Sequence, residues 1–464
     1  MESRSGAVYR GPAVHRFHYT ANTALVDTGN IHLVSGLPLA DAIRSTNRIG
    51  DFDAELGRLV EGDPQSVYAW DAERGTLRQT IRGYERTLRH YGGLGCILLP
   101  AGFDDVFFDT TPYVAPKPEH APADFDLDAG ATADAALAAA VDLAFAPEAQ
   151  TASLLVIRGG RVIAERYGAG ADVDTMLASW SMGKSIAALV IGRMVQDGRL
   201  EMEAEAPIEE WRGAPEDSRR RIRPADLARM SSGLRFSGAR EPEHLWGRGV
   251  ADHQLVYAEA IDSYAFSIAQ PAQHAPETVG RYRNCDIATL GAIAARAERG
   301  AGRDPLTVVE RLLFAPLGIR RITLSADAYG NIVYTGMNYG TARDWARLGQ
   351  LCLARGEWAG QRLVPASYID FMATPAPAWL SYGEPLSEYH HLYGGGVWLN
   401  RATQRVAPPW ALPEDSYNFA GAGGQRVFVV PSMDMVIVRH GHMRGVTPDA
   451  HTNSFLQALM CVLG

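Results

Sequence analysis

The stretch ASWSMGKSIAALVIGRMV (residues 178–195) contains a serine, Ser181, followed three residues later by a lysine, Lys184. Nearly every residue after Lys184 is apolar, so the pattern predicts a helix that is buried on all sides. Ser181 and Lys184 then lie one turn apart on the same face. Burial and the positive end of the helix disfavour a charged ammonium, and a neutral lysine is a base. The pair therefore predicts an activated serine nucleophile, with a capping serine and a solvent-reaching lysine as the alternative.

The composition excludes several classes of function. The chain has 464 residues, 47% of them apolar, and a net charge of −9. We see no clustered basic footprint for nucleic acid and no run of roughly 18 apolar residues for a membrane span. The N-terminus lacks the apolar core of a secretory signal, which predicts a cytoplasmic location. Scattered cysteines without CxxC spacing predict reduced thiols rather than disulfides or a zinc site: Cys96, Cys285, Cys352 and Cys461.

The order of patterns along the chain predicts an α+β fold. Proline and acidic residues at 110–126 favour an extended connector, so we expect residues 1–129 to be an accessory region with a linker. Residues 130–464 then form the main domain, an antiparallel sheet flanked by helices with an inserted all-helical subdomain at about 183–315. The expected elements are a strand-turn-strand within 92–108, a helix at 131–146, a hairpin at 153–168 across Gly159-Gly160, a helix from Pro224 to a stop at Gly233, and strands at 393–400, 425–431 and 433–441.

Two further motifs carry chemistry. Tyr282-Arg283-Asn284 precedes an apolar helical pattern, where a tyrosine can relay protons if a nearby lysine favours its ionised form. Asn284 offers an amide to a substrate carbonyl or to the lysine, whereas a partly buried aromatic is the alternative for Tyr282. The glycines in FAGAGGQ (residues 419–425) precede a strand and permit close approach of a ligand to the backbone. An ordinary glycine-rich turn is the alternative there.

The order SxxK, YxN about a hundred residues later, and a glycine-rich motif before a C-terminal strand resembles the penicillin-recognising serine hydrolases of the class C β-lactamase type. IRPADLARMSSGL (222–234) and LFAPLGI (313–319) extend the resemblance over residues 130–464. Within that superfamily the chain is most similar to the nylon-oligomer (6-aminohexanoate-dimer) hydrolases and related family VIII-type esterases. That likeness rests on SMGKS, RYRNCDIATLGAI and SYNFAGAGGQRVFVVP.

The resemblance implies a role for each matching residue. Ser181 is the nucleophile, Lys184 its base, and Tyr282 the proton relay to the leaving group. Asn284 is the supporting amide. The backbone amides of Ser181 and Ala422 form the oxyanion hole.

One departure from the superfamily bears on the substrate. β-Lactamases and cell-wall peptidases commonly carry Lys-Thr-Gly where this chain has Phe419-Ala420-Gly421. A cationic side chain there would pair with the carboxylate of a β-lactam, and Phe419 cannot. The departure disfavours a β-lactamase or DD-peptidase but leaves acyl transfer intact.

The resulting prediction is a serine hydrolase that cleaves an ester or amide of a small molecule without a metal or cofactor. A biosynthetic acyltransferase would use the same residues, and a non-catalytic sensor is disfavoured because serine, lysine and tyrosine are all present. Paired histidines (390–391, 440 and 442) lack a third metal ligand at plausible spacing. We expect no nucleic-acid or membrane partner and leave a homodimer open. The residues expected to line the substrate pocket are Asn284, Phe236, Trp246, Phe419, Gly421, Tyr417 and His442, with Tyr264, Phe266 and Trp410 as further candidates.

Overall fold

The computed structural model describes residues 16–46, 67–114, 134–238, 251–380, 391–402, 407–441 and 449–464. The helices within them are α1 (Arg16–Leu33), α2 (Leu39–Thr46), α3 (Thr111–Val114), α4 (Ala135–Ala144), α5 (Gly183–Gln196), α6 (Pro224–Ala228), α7 (Asp252–Ala258), α8 (Ser263–Ile268), α9 (Asn284–Gly300), α10 (Ala315–Leu317), α11 (Ala342–Leu353), α12 (Ala366–Met372), α13 (Pro377–Leu380) and α14 (Asp449–Leu463). None of these helices combines the length and the apolar character needed to cross a membrane.

The strands are β1 (Tyr68–Asp71), β2 (Thr76–Ile81), β3 (Tyr84–His90), β4 (Cys96–Leu98), β5 (Thr151–Arg158), β6 (Arg161–Tyr167), β7 (Leu177–Ala178), β8 (Ile322–Leu324), β9 (Asn338–Gly340), β10 (Glu357–Trp358), β11 (Gln361–Arg362), β12 (Leu392–Tyr393), β13 (Trp398–Leu399), β14 (Tyr417–Gly421), β15 (Gln425–Val430) and β16 (Met435–Gly441).

A seven-stranded antiparallel sheet, in the order β12-β13-β14-β15-β16-β5-β6, forms the centre of the molecule. Alternate side chains of a strand face opposite sides, so Val427 and Val429 pack toward α5, α9 and α11. Phe428 and Val430 pack on the other side toward α4 and α14. Strand β5, the first strand of this sheet along the chain, therefore pairs with β16, the last one.

A second, three-stranded sheet positions the serine motif. It has the order β7-β9-β8, and the pairing of β7 with β9 sets Ala178 opposite Tyr339. The backbone N–H of Ser179 extends this pairing by donating to the carbonyl of Asn338 at 2.8 Å. The chain segments before Ser181 and around residue 335 are therefore held side by side.

A four-stranded sheet of β1 to β4 lies against α1 near the N-terminus. These strands alternate inward and outward residues over only a few positions. The sequence analysis, which treated residues 1–129 as an accessory region with a linker, did not predict β1, β2 and β3. Of the expected strand-turn-strand in 92–108, only the first strand is present, as β4.

Several other expected elements are confirmed or corrected. The helix within 131–146 and the strands near 425 and 433 are present, and Gly159 and Gly160 form the expected hairpin turn with φ values of 58° and 73°. The region 393–400 contains the turn between β12 and β13 rather than one strand. Residues 417–421 form a strand that the sequence analysis did not predict. Residues 449–463 form α14, because their apolar residues follow a helical spacing.

The predicted domain boundary falls in residues 115–133, outside the described part. Its connector begins with α3, since Pro112 fits the first turn of a helix. Helix α6 starts at Pro224 as expected but ends at Ala228, before Gly233. The cysteine side chains are free thiols, buried at 96, 285 and 352 and exposed at 461.

Candidate active site

Ser181 lies in a single 3-10 turn, Trp180–Met182, that leads directly into α5. Trp180 has a φ of 48°, which is uncommon for a bulky residue and indicates stored backbone strain beside the serine. The turn is closely packed, because a Cβ added at Gly183 would lie 1.9 Å from Asn338 Nδ2 and 2.5 Å from the carbonyl oxygen of Tyr334. Only glycine fits between the serine motif and the segment before β9.

Lys184 is buried, with 1% of its surface exposed. Its Nζ donates to Ser181 Oγ at 2.8 Å and to the carbonyl oxygen of Thr335 at 2.7 Å. Ser181 Oγ also lies 3.3 Å from that carbonyl. Burial holds the pKa of Lys184 well below its ordinary value, because the charged form loses its hydration. The lysine is thus a desolvated amine in contact with a partly exposed hydroxyl.

Tyr282 completes a compact group with Ser181 and Lys184. The centroid of its ring lies 4.8 Å from Lys184 Nζ. On its other sides the ring contacts aromatic side chains, with centroid distances of 5.2 Å to Trp398 and 5.9 Å to Tyr393. Tyr282, which lies against the lysine, is therefore itself packed among aromatic rings.

Asn284 occupies the first position of α9 and is fully buried. Its Nδ2 donates to the carbonyl of His253 and to the hydroxyl of Tyr257, both at 2.7 Å. Its Oδ1 has no hydrogen-bond partner within the described residues. The amide donor that was expected to hold a substrate carbonyl or Lys184 is thus used to hold α7 against α9, and the buried Oδ1 stays unpaired among the described residues.

The glycine-rich motif lies against the serine turn. A Cβ added at Gly421 would lie 2.1 Å from the carbonyl oxygen of Ser179, so the end of β14 needs a glycine there. The sequence analysis expected a ligand to approach the backbone closely at these glycines. In the structure, the group that approaches Gly421 is the Ser179 carbonyl. Ala422 follows in the exposed turn before β15. The pair Gly423 and Gly424, with φ values of 80° and 76°, completes the turn.

Two arginines, the partly buried Arg426 and the buried Arg439, hold this turn in place. Arg426 Nη1 donates to the carbonyl oxygen of Gly421 at 3.2 Å. In a planar trans peptide the carbonyl and the N–H point in opposite directions, so the Ala422 N–H faces away from Arg426. Arg439 Nη1 donates to the carbonyl of Gly424 at 2.8 Å. The orientation of the Ala422 amide is therefore determined by hydrogen bonds to the neighbouring carbonyls.

Several residues expected in the substrate pocket lie in the core instead. Phe419 is 0% exposed and packs in the main core, and Tyr417 and Phe236 are each 2% exposed. Tyr264 donates to the carbonyl of Ile332. Trp410 packs on Phe428, whereas Phe266 is partly buried beside Phe236. Trp246 and His442, both named above as pocket candidates, lie outside the described residues.

Other residues around the serine escaped the sequence interpretation. Tyr257 packs edge-on against Trp180 at 5.8 Å, and the ring of His253 lies 6.0 Å from that of Tyr282. Burial lowers the pKa of His253 to about 3. The aromatic and histidine content of residues 237–280 was the available signal. No sequence signal could have indicated the Thr335 carbonyl, because every residue type has a backbone carbonyl.

The histidine pairs do not assemble a metal site in the described part of the chain, where no three His, Cys, Asp or Glu side chains are grouped to hold an ion. His440 is buried and its Nδ1 lies 2.9 Å from Ser153 Oγ. His391 packs on Trp398. His390 and His442 lie outside the described residues.

The sheet, the helices on both of its faces and the Ser-Lys-Tyr group define a class of protein that comparison confirms. The family described as Beta-lactamase matches residues 133–459. The chain belongs to this family and is a serine hydrolase with a β-lactamase-like fold, as the sequence motifs predict.

Among individual proteins, a 6-aminohexanoate-dimer hydrolase from Paenarthrobacter ureafaciens is 23% identical over 300 residues, which cover 63% of this chain and 72% of that relative. A penicillin-binding protein homologue from Caulobacter crescentus superposes with a TM-score of 0.55 at 15% identity, covering 71% of this chain and 98% of the other. A family VIII carboxylesterase gives a TM-score of 0.53 at 16% identity, with coverages of 70% and 96%. The two structural likenesses concern the fold.

Proposed function

We propose that this serine hydrolase cleaves an ester or amide bond of a small molecule through an acyl-enzyme formed on Ser181. The observation that carries the proposal is the 2.8 Å contact between Lys184 Nζ and Ser181 Oγ in surroundings that desolvate the lysine. A neutral amine at hydrogen-bond distance is a suitable general base for a hydroxyl.

In the acylation step, Lys184 accepts the hydroxyl proton while Ser181 Oγ bonds to the substrate carbonyl carbon. The carbonyl electron pair moves to its oxygen, and the N–H groups of Ser181 and Ala422 hold the resulting oxyanion. Each such donor is typically worth about 3 kcal/mol of transition-state stabilisation. When the carbonyl re-forms, the bond to the alcohol or amine breaks, and the leaving group takes the proton from Lys184 through the Tyr282 hydroxyl.

In the deacylation step, water attacks the acyl-serine and the same groups carry its proton back to Ser181 Oγ. The products are a free acid and the regenerated serine. An alcohol or amine in place of this water would give acyl transfer, so both reactions share one intermediate.

The proposed substrate lacks an essential carboxylate. Phe419, at the position of the β-lactamase lysine, is buried in the core and offers no charge. Tyr257 packs on Trp180 beside the serine, and Tyr282 packs on Trp398, so the aromatic rings of this region favour an apolar acyl or leaving group. The names of the Paenarthrobacter relative and of the carboxylesterase support amides and esters as the bond classes.

The test is a substrate panel combined with covalent labelling. Wild type is incubated with p-nitrophenyl butyrate, linear amides and a β-lactam, and a fluorophosphonate is followed by intact mass and peptide mapping. Ser181→Ala is expected to lower turnover at least about a thousandfold and to abolish labelling. Ser185→Ala, which alters a hydroxyl of the same helix that donates to the Gly396 carbonyl, is expected to keep labelling.

The proposal fails if Ser181→Ala retains wild-type turnover or if the label maps to another residue. Rapid β-lactam turnover would contradict the substrate class drawn from Phe419. Added amine distinguishes acyl transfer, because a transferase forms the new amide faster than the acid.

A further inference from the structure

The N-terminal residues 16–46 and 67–114 lie outside the matched family region, yet they share a hydrophobic core with the active site. This core joins side chains of α1 and the β1–β4 sheet to residues that precede Ser181 in the chain and to residues that follow Thr335. Its members from the catalytic part are Met337 and Tyr339, with Met176, Ala178, Trp180 and Tyr257 packed against them. Trp180 precedes Ser181, and Met337 is two residues from the Thr335 carbonyl that holds Lys184.

A buried ion pair makes a second connection between the same parts. Arg86 of β3 and Glu259 have side chains that are 6% and 8% exposed, and Arg86 Nη1 lies 3.4 Å from Glu259 Oε2. Asn22 of α1 donates to Glu259 Oε1 at 2.7 Å. Arg86 is itself held by the Leu99 carbonyl and by the Tyr84 hydroxyl, each at 3.1 Å.

Glu259 directly follows α7, the helix that carries His253 and Tyr257 to the serine. The Tyr257 hydroxyl accepts from Asn284 Nδ2, and its ring packs on Trp180. The anchor at Glu259 is therefore two residues away from a side chain that contacts both the serine turn and the start of α9.

The energetics of the pair favour a positioning role over simple stabilisation. Burial raises the pKa of Glu259 above its ordinary value even though Arg86 and Asn22 lower it. Desolvation thus outweighs the attraction, which is the usual situation of a buried ion pair. A pair of apolar side chains would fill the same space without the free-energy cost of burying two charges. Such a pair would not hold the end of α7 in one orientation.

We propose that the N-terminal unit is an integral support of the active site, in which the Arg86–Glu259 pair positions α7 and, through Tyr257, the serine turn and Asn284. This inference rests on the proposed acyl-serine function. It assigns Arg86 and Glu259 as positioning residues, and it assigns residues 16–46 and 67–114 a role in setting the reaction rate.

The experiment compares four full-length variants: Glu259→Gln, Glu259→Leu, Arg86→Met and the double variant Arg86→Met/Glu259→Leu. Each is assayed for kcat and KM with p-nitrophenyl butyrate, for the rate of Ser181 labelling by a fluorophosphonate, and for its urea unfolding midpoint. The matched control is Arg78→Met on the adjacent strand, whose ion pair with Glu85 is exposed and 3.9 Å long.

Each single leucine or methionine variant leaves a buried charge unpaired, so both its unfolding midpoint and its rate are expected to fall. The double variant removes both charges and is expected to recover most of the midpoint while its kcat stays about tenfold low. That separation of rate from stability is what positioning predicts and a purely structural role does not. Glu259→Gln keeps an acceptor for Asn22, so it is expected to fold and to lose about threefold in kcat with little change in KM. Arg78→Met is expected to match wild type.

The inference is overturned if the double variant and Glu259→Gln both acylate Ser181 at the wild-type rate. Recovery of rate in parallel with stability in the double variant overturns it as well. These outcomes are distinct from failure of the proposed function, in which the wild-type protein itself is not labelled at Ser181. If the double variant does not fold, Glu259→Gln decides alone.

Discussion

Lys184 is unusual in a chain that uses arginine almost everywhere else. Of its 44 Lys and Arg residues, Lys117 and Lys184 are the two lysines. Arginine stays protonated inside proteins, whereas a buried lysine can lose its proton. The retention of lysine at the buried position agrees with a role that requires a neutral amine.

Substitution of Lys184 is expected to separate activity from stability. Burial lowers the pKa of Lys184 in the folded protein below its ordinary value of 10.5. At neutral pH the amine therefore binds a proton more strongly in the unfolded chain than in the folded protein. The resulting loss of folding free energy grows as the pH falls below about 10.5, and removal of the amine abolishes this loss. Lys184→Met should therefore be inactive yet more stable than wild type at pH 7, with an advantage that shrinks toward pH 10.

Urea unfolding at several pH values measures this effect, and Lys184→Arg is the matched control because it keeps a buried charge and should be both inactive and less stable. Lysine-selective ¹³C labelling gives a direct reading, since Lys117→Arg leaves one lysine signal to titrate. Wild-type turnover in Lys184→Met would contradict the assignment of the base.

At the scale of elements, the site is built where three chain segments meet edge to edge. The turn Trp180–Met182 leaves β7, the segment before β9 supplies the Thr335 carbonyl, and β14 approaches with Gly421. The contact of Gly421 with the Ser179 carbonyl is between backbones and leaves no room for a side chain, whereas the Thr335 carbonyl is reached by the side chain of Lys184. The geometry of the proposed oxyanion hole therefore depends on the relative placement of these segments.

Gly421→Ala is expected to disrupt that placement. The new Cβ would lie 2.1 Å from the Ser179 carbonyl, so β14 must move away from the serine turn. A shift approaching 1 Å near reacting groups can cost about a hundredfold in kcat. The labelling rate of Ser181 should fall in proportion. The matched control is Gly300→Ala at the end of α9, where a Cβ meets nothing within 4 Å. Equal rates for the two variants would show that the close approach does not matter.

At the scale of the whole molecule, buried titratable groups make the fold sensitive to acid. Burial lowers the pKa of His253 and of His440 to about 3. The unfolded chain protonates these imidazoles near pH 6.5, so their contribution is complete above that pH and is lost as the pH falls toward 3. Asp27 acts in the opposite direction, since burial raises its pKa to about 7. A comparison of variants isolates the histidine contribution.

His440→Asn is expected to flatten the fall in unfolding free energy between pH 6.5 and 4 by a few kcal/mol, because its amide stays neutral. Asparagine can still pair with Ser153 Oγ, which wild-type His440 contacts at 2.9 Å. The control is His451→Asn on the surface of α14. Identical slopes for wild type and His440→Asn in urea titrations would refute this account of acid sensitivity.

The sequence by itself determined the family and the α+β class, and it predicted the reactive group that the proposed function uses. Ser181 in the 3-10 turn and Lys184 in the first turn of α5 are three residues apart, so their contact follows from local geometry alone. Gly159-Gly160 and the alternating strands near the C-terminus are equally local signals. Tyr282 could be assigned only through the resemblance, because nothing local brings it to a residue a hundred positions earlier.

Only the tertiary structure decided which residues surround the serine. Phe419, Tyr417 and Phe236 are aromatic residues in suitable segments, but packing turns them into the core. Tyr257 is brought to the serine turn by contacts with Trp180 and Asn284, which are far apart in sequence. The Thr335 carbonyl and the Arg86–Glu259 pair depend on the same long-range assembly. The physical reason is that hydrophobic burial is non-directional. A sequence pattern predicts that a side chain will be buried, but only the assembled fold determines which residues bury it.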